Sequence, residues 1–218
     1  MNNANANSLK PAPHTLVRIR GAEALCTDEE APGWVETSLR RAPWAVVRRA
    51  RCVDRIPVGV RGESRAARFA AFTAVHEVME YVTPQAIVAR RLWERTVRGT
   101  YVAALPAVAA LPAVEAIMRA HGLGAQWGPA GSVGYELVCA QPTVNEASDL
   151  DLVVQVDAPP SMAAARALFA DLSSLAVRID ALLEMPAGCV ALAEFAGTQP
   201  RWALRTPDGP RWMNSVRD

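Results

Sequence analysis

Residues 148–156 read SDLDLVVQV, an apolar β-branched run with a carboxylate at its second and fourth positions. The run predicts a strand over 149–156. Side chains two apart on a strand share a face, so Asp149 and Asp151 point the same way. Two ionised carboxylates side by side repel, and a buried one without a partner is very costly. The pattern therefore demands either a solvated edge or a cation between the pair. Magnesium is the natural cation, since it takes one or two carboxylates and completes its shell with phosphate oxygens. The plainer reading is a surface Asp-Leu-Asp turn that caps the following strand.

Seventeen residues upstream stands Gly131-Ser132, directly after a stretch rich in glycine. A small pair at a strand–helix junction lets backbone N–H groups approach a phosphate, and Ser132 can add its hydroxyl. Each signal alone is weak. Together they point to chemistry on a phosphorylated substrate.

The flanking pattern supplies the frame. Residues 14–20 and 44–47 read as short strands, and 52–62 as a strand or loop broken by Pro57, Gly59 and Gly62. Ser64 is a candidate N-cap for a helix over 64–81, with Phe69, Phe72, Val75, Val78 and Met79 at helical spacing. Thr83-Pro84 restarts a helix that Gly99 ends, and Pro112 opens another that closes at Gly122. Residues 160–176 predict an amphipathic helix with Met162, Leu168, Phe169, Leu172 and Leu175 inward. A strand over 177–184 follows, then short strands near 189–195 and 202–206, and a hairpin through Pro207-Asp208-Gly209.

Charge divides the chain. Residues 1–100 carry a net +6 and residues 101–218 a net −5, and Lys10 is the only lysine. The positive half is thus an arginine half, suited to phosphates and carboxylates; a biased genome composition would leave the same mark. An overall +1 argues against a broad nucleic-acid surface. Residues 100–118, the best candidate for a membrane span, are broken by Pro106 and Pro112. Cys26, Cys52, Cys139 and Cys189 have no zinc-ligand spacing, and His14, His76 and His121 are scattered, so each histidine reads first as a core or solvated residue. Without a secretory leader pattern, a cytoplasmic protein with reduced thiols is expected. We expect a lead-in over 1–10, a basic N-terminal domain over 11–80 and a catalytic domain over 81–218.

A helix, a Gly-Ser turn and a DxD pair on one strand resemble the nucleotidyltransferase fold of the DNA polymerase β superfamily. The long interval from Ser132 to Asp149 narrows the resemblance. GSVGYELVCAQPTVNEASDLDLVV is similar to the central motif of the malonate decarboxylase holo-acyl-carrier-protein synthases, the phosphoribosyl-dephospho-CoA transferases. PHTLVRIR, WAVVRR, IPVGVRGESRAARFAAF, RIDALLEMPAGCVALAEFA and LRTPDGPR extend the likeness over nearly the whole chain.

The resemblance implies an α+β protein: a nucleotidyltransferase-type mixed sheet with flanking helices, plus a smaller N-terminal α/β part. It implies a third carboxylate on a neighbouring strand, Asp180, with Glu184 on the same face as the alternative. Asp149, Asp151 and Asp180 would be catalytic and would hold Mg2+, and Gly131 and Ser132 would hold terminal phosphates. Arg49, Arg61 and Arg65, with Arg48 and Arg68 beside them, would bind phosphates or dock an acidic carrier; a solvated basic face is the plainer reading. The implied donor is triphosphoribosyl-dephospho-CoA and the implied acceptor the acyl carrier subunit of malonate decarboxylase. No nucleic-acid polymer and no membrane is expected as a partner. Another magnesium nucleotidyltransferase using ATP or CTP, and a catalytically silent scaffold of the same fold, are the competing readings.

Overall fold

The computed structural model describes residues 11–64, 66–95 and 100–214. The lead-in over 1–10 and Arg65 lie outside them. The chain divides into two compact units at Thr83/Pro84. The architecture is α+β, with one six-stranded sheet in each unit.

The first unit runs β1 (Leu16–Ile19), β2 (Leu25–Cys26), α1 (Gly33–Arg41), β3 (Trp44–Val47), β4 (Arg55–Arg61), β5 (Arg68–Ala74) and β6 (Val78–Val82). Its sheet order is β2-β5-β4-β3-β1-β6, and every pairing is antiparallel. Alternate residues make the core: Val17 and Ile19, Ala45 and Val47, Ile56, Val58 and Val60, then Phe69 and Ala71. Helix α1 closes this face with Val35 and Leu39.

The helix expected over 64–81 is instead two strands, β5, which forms a hairpin with β4, and β6, which pairs with β1 at the sheet edge. Ser64 does accept a hydrogen bond from the Ala67 N–H at 3.1 Å, as an N-cap would. It caps a reverse turn: the Gly62 N–H donates to the Ala67 carbonyl at 2.8 Å, and β5 then pairs with β4 from Arg61↔Arg68 to Arg55↔Ala74. Phe69, Ala71 and Thr73 face inward with period 2, while Val75 and Met79 are exposed. An alanine-rich segment carries little β preference of its own, and seven residues of ladder with β4 override its helical spacing. Helix α1 was not anticipated at all.

The second unit runs α2 (Pro84–Ala89), α3 (Thr100–Ala104), α4 (Pro106–Ala109), α5 (Leu111–Ala120), β7 (Trp127–Pro129), α6 (Gly131–Cys139), β8 (Leu150–Gln155), α7 (Met162–Ser173), β9 (Ile179–Met185), β10 (Gly188–Ala191), α8 (Leu192–Phe195), β11 (Arg201–Thr206) and β12 (Gly209–Asn214). The helix expected from Pro84 to Gly99 is shorter than its spacing suggested: α2 ends at Ala89, a 3-10 turn covers Leu92–Arg95, and Gly99 lies outside the described residues. Residues near 189–195 divide between β10 and α8 rather than forming one strand.

The second sheet has the order β12-β11-β10-β9-β8-β7. Only β8 and β9 are parallel; the other pairings are antiparallel. A parallel pair needs a crossover, and α7 provides it, with the Ser161 hydroxyl accepting from the Ala164 N–H at its start. Leu168 and Leu172 of α7 are buried as expected, but Phe169 is half exposed. No helix among the described residues is long and apolar enough to cross a membrane.

Candidate active site

The carboxylates gather where β8 and β9 begin. Leu150, Leu152 and Val154 are fully buried on one face of β8, so Asp151 falls on the other. Asp151 stands directly beside Asp180 in the parallel register. Neighbouring strands are about 4.8 Å apart, so the two side chains share one patch of sheet. Glu184 pairs with Gln155 instead, four residues or about 13 Å further along β9. Of the two candidates for a third carboxylate, Asp180 is therefore the one beside Asp151.

Asp149 sits just before β8, at the end of an ordered turn. The Ala147 N–H donates to Asn145 Oδ1 at 2.9 Å, the Asn145 N–H to Ser148 Oγ at 3.0 Å, and the Ser148 N–H to the Asn145 carbonyl at 3.1 Å. The long interval between Ser132 and Asp149 is thus folded, and it is clamped onto α6. Buried Glu136 accepts from the Thr143 and Val144 N–H groups, both at 2.7 Å, and the Thr143 hydroxyl donates to the Ser132 carbonyl at 2.8 Å.

Gly131 and Ser132 open α6 directly after β7, the strand–helix junction expected from sequence. Gly131 has φ +55, and a Cβ there would lie 1.8 Å from Asp151 Oδ2. Two constraints thus demand glycine: a left-handed backbone and a carboxylate against its Cα. The Ala130 N–H bonds the Asp151 carbonyl at 2.8 Å, fixing the junction to the strand.

One cation belongs to this cluster that sequence reasoning missed. Arg178 donates to Asp180 Oδ2 at 2.6 Å, and the Leu150 N–H bonds the Arg178 carbonyl at 2.9 Å. The bond to Asp180 and the charges of Asp180, Asp149 and Asp151 raise the Arg178 pKa above its ordinary value. The signal was present: Arg178 stands two before Asp180, hence on its face. Glu136 had a weaker one, a carboxylate among apolar helix positions.

Oxygen donors of this kind suit a hard cation such as Mg2+. Among the described residues no group of three or more His, Cys, Asp or Glu gathers as a metal cage. A carboxylate pair completed by substrate phosphates is what Mg2+ ordinarily takes, and Asp149 with Asp151 fits that mode.

The expected phosphate-binding arginines belong to the first unit. On its sheet the face opposite α1 carries Arg18, Arg48, Arg55, Arg61 and Arg68, as the register dictates. Arg61 and Arg68 face each other directly, and the Arg48 stem lies over Gly59. Arg49 is half-buried near His14, whose pKa is pushed down to about 4 by burial and then by the Arg49 charge.

Comparison with known proteins agrees over both units. Residues 12–84 match the phosphoribosyl-dephospho-CoA transferase MdcG N-terminal domain, and residues 92–216 match the MdcG C-terminal domain. A phosphoribosyl-dephospho-CoA transferase of Pseudomonas putida is 37% identical over 94% of this chain and 94% of its own. One from Klebsiella pneumoniae strain 342 is 37% identical over 94% and 95%, and one from Azotobacter vinelandii 36% over 93% and 92%. No solved structure matches the chain.

Proposed function

Because the chain belongs to the phosphoribosyl-dephospho-CoA transferase family, we propose that it transfers 2′-(5″-phosphoribosyl)-3′-dephospho-CoA from its triphosphate precursor to a serine of the malonate decarboxylase acyl carrier protein, releasing pyrophosphate. The observation that carries this reading is the site itself: Asp151 and Asp180 side by side on the parallel pair, with Gly131 pressed against Asp151.

The nucleophile comes from the acceptor, so this chain needs to position, neutralise and accept a proton. The serine oxygen forms a bond to the α-phosphorus, and the bond from that phosphorus to pyrophosphate breaks, its electron pair leaving with pyrophosphate. The hydroxyl proton passes to a carboxylate. In this reading Asp180 takes it, at Oδ1, since Arg178 engages Oδ2. Mg2+, held by Asp149 and Asp151 with Asp180 beside them, would neutralise developing charge on the phosphates. Gly131 and Ser132 present the start of α6 to the terminal phosphates, where backbone N–H groups and the helix dipole favour anions. Arg49, Arg61 and Arg65 serve the encounter, through phosphates or through an acidic carrier.

Intact mass of an apo carrier subunit, after incubation with the full chain, Mg2+ and the triphosphate donor, tests this. The carrier should gain the phosphoribosyl-dephospho-CoA mass, and Asp151→Asn should slow the gain by about a thousandfold or more. A gain from ATP alone, or none while metal binding persists, would overturn the donor and acceptor assignments.

A further inference from the structure

A cavity of about 340 Å³ opens beside the carboxylates, wholly within the second unit. Its wall includes Asp151, Arg178 and Asp180, so whatever fills it touches the reacting groups. The rest is a mixture that the core does not require. Leu172, Leu182 and Leu192 line it together with Phe169, and Arg205 of β11 joins Arg178 as a second guanidinium. Phe169 is 37% exposed, whereas Leu168 and Leu172 on the same helix are 4% and 2% exposed. An aromatic ring left half open on an apolar wall has a face to offer.

Size and chemistry narrow the occupant. Pockets for drug-sized ligands span roughly 300–1,000 Å³, so this cavity takes one moiety rather than a whole coenzyme. Leucines and an aromatic face suit a flat base. Two guanidiniums at the same site suit a diphosphate, which their planar forks can grip. The pantetheine arm of a coenzyme has neither a flat ring nor a charge and matches the wall poorly.

We propose that this cavity binds the adenosine 5′-diphosphate portion of the dephospho-CoA group, adenine against Phe169 and the diphosphate toward Arg178 and Arg205. The assignment rests on the donor proposed above. It makes Phe169 and Arg205 specificity residues for the donor.

Calorimetric titration of the full chain with 3′-dephospho-CoA in EDTA tests it apart from turnover. The wild type should bind, Phe169→Ala should bind about tenfold more weakly, and Phe169→Trp should retain affinity. ADP should compete, and 4′-phosphopantetheine should not. Near-UV circular dichroism checks that the variants are folded, which the exposed position of Phe169 favours. Undiminished binding by Phe169→Ala, or competition by phosphopantetheine instead of ADP, overturns the assignment even if carrier modification proceeds. Phe169-dependent binding of ADP without carrier modification upholds the nucleotide cavity and removes the donor reading instead.

Discussion

The two sheets have the same number of strands, yet one presents cations and the other carboxylates. The first is antiparallel throughout, with a core on one face and Arg18, Arg48, Arg55, Arg61 and Arg68 on the other. The second contains one parallel pair, β8 and β9, and the carboxylates stand at its head. A parallel pair starts two strands side by side at one end of a sheet, so residues at matching offsets become neighbours. Antiparallel strands bring a beginning against an end. The difference explains why aspartates 29 residues apart in sequence converge, while the arginines form a broad surface instead of a point.

The two regions also differ in what holds them. The arginine face is a product of backbone ladder and register. The approach to Asp149 depends on side chains clamping a loop, with Glu136 at the centre. Glu136→Ala removes a buried acceptor from two backbone N–H groups, and hydrogen bonds to a charged group contribute about 1.5–3 kcal/mol each. We expect a loss of about 3 kcal/mol in urea unfolding at neutral pH, accompanied by reduced Mn2+ affinity because Asp149 loses its support. Unchanged stability would mean that the loop is held by its own turns and that the two regions do not differ in this way.

How legible each region was follows from the same contrast. The strand carrying Asp151 could be read because β-branched residues and a carboxylate pair leave few alternatives, and Gly131-Ser132 fell at the predicted junction. The parallel pairing that selects Asp180 over Glu184 is non-local, and spacing within one strand cannot choose between two residues on one face. In the first unit, FAAFTAV fits both period 2 and period 3.6, so only the partner strand decides it. Helix α1 is amphipathic, with Val35 and Leu39 at i, i+4 spacing, but the stretch is short, ends in Arg40 and Arg41 and runs straight into the strand over Trp44–Val47. Arg178 escaped because a carboxylate pattern points to a metal, whereas the fold already sets a guanidinium against Asp180.

Acid should unsettle the first unit through His14. Its folded pKa is about 4 against 6.5 ordinarily, so between those values the unfolded chain takes a proton that the folded one does not. Stability from this group is complete above pH 6.5 and is lost as pH falls toward 4, by up to about 3 kcal/mol. His14 has φ 69, which asparagine tolerates, so His14→Asn is the suitable variant. Urea unfolding of the full chain from pH 7 to 4 should show a shallower decline in the variant. An identical decline would place the acid sensitivity elsewhere.

The smallest effect, and the one that tests the division between cations and carboxylates most directly, concerns Arg61 and Arg68. They stand opposite each other across β4 and β5, so both belong to one patch of the sheet face. If the face steers an acidic carrier, Arg61→Gln with Arg68→Gln should slow association several-fold at low salt, and the difference should shrink as ionic strength rises. Stopped-flow association with the carrier would read this, since rim charges act chiefly on the on-rate. Binding of 3′-dephospho-CoA should be untouched if the base and diphosphate sit in the second unit. A variant that loses dephospho-CoA affinity but associates with the carrier at the wild-type rate would reverse the assignment, making the arginine face a donor surface and leaving the carrier to the carboxylate-bearing unit.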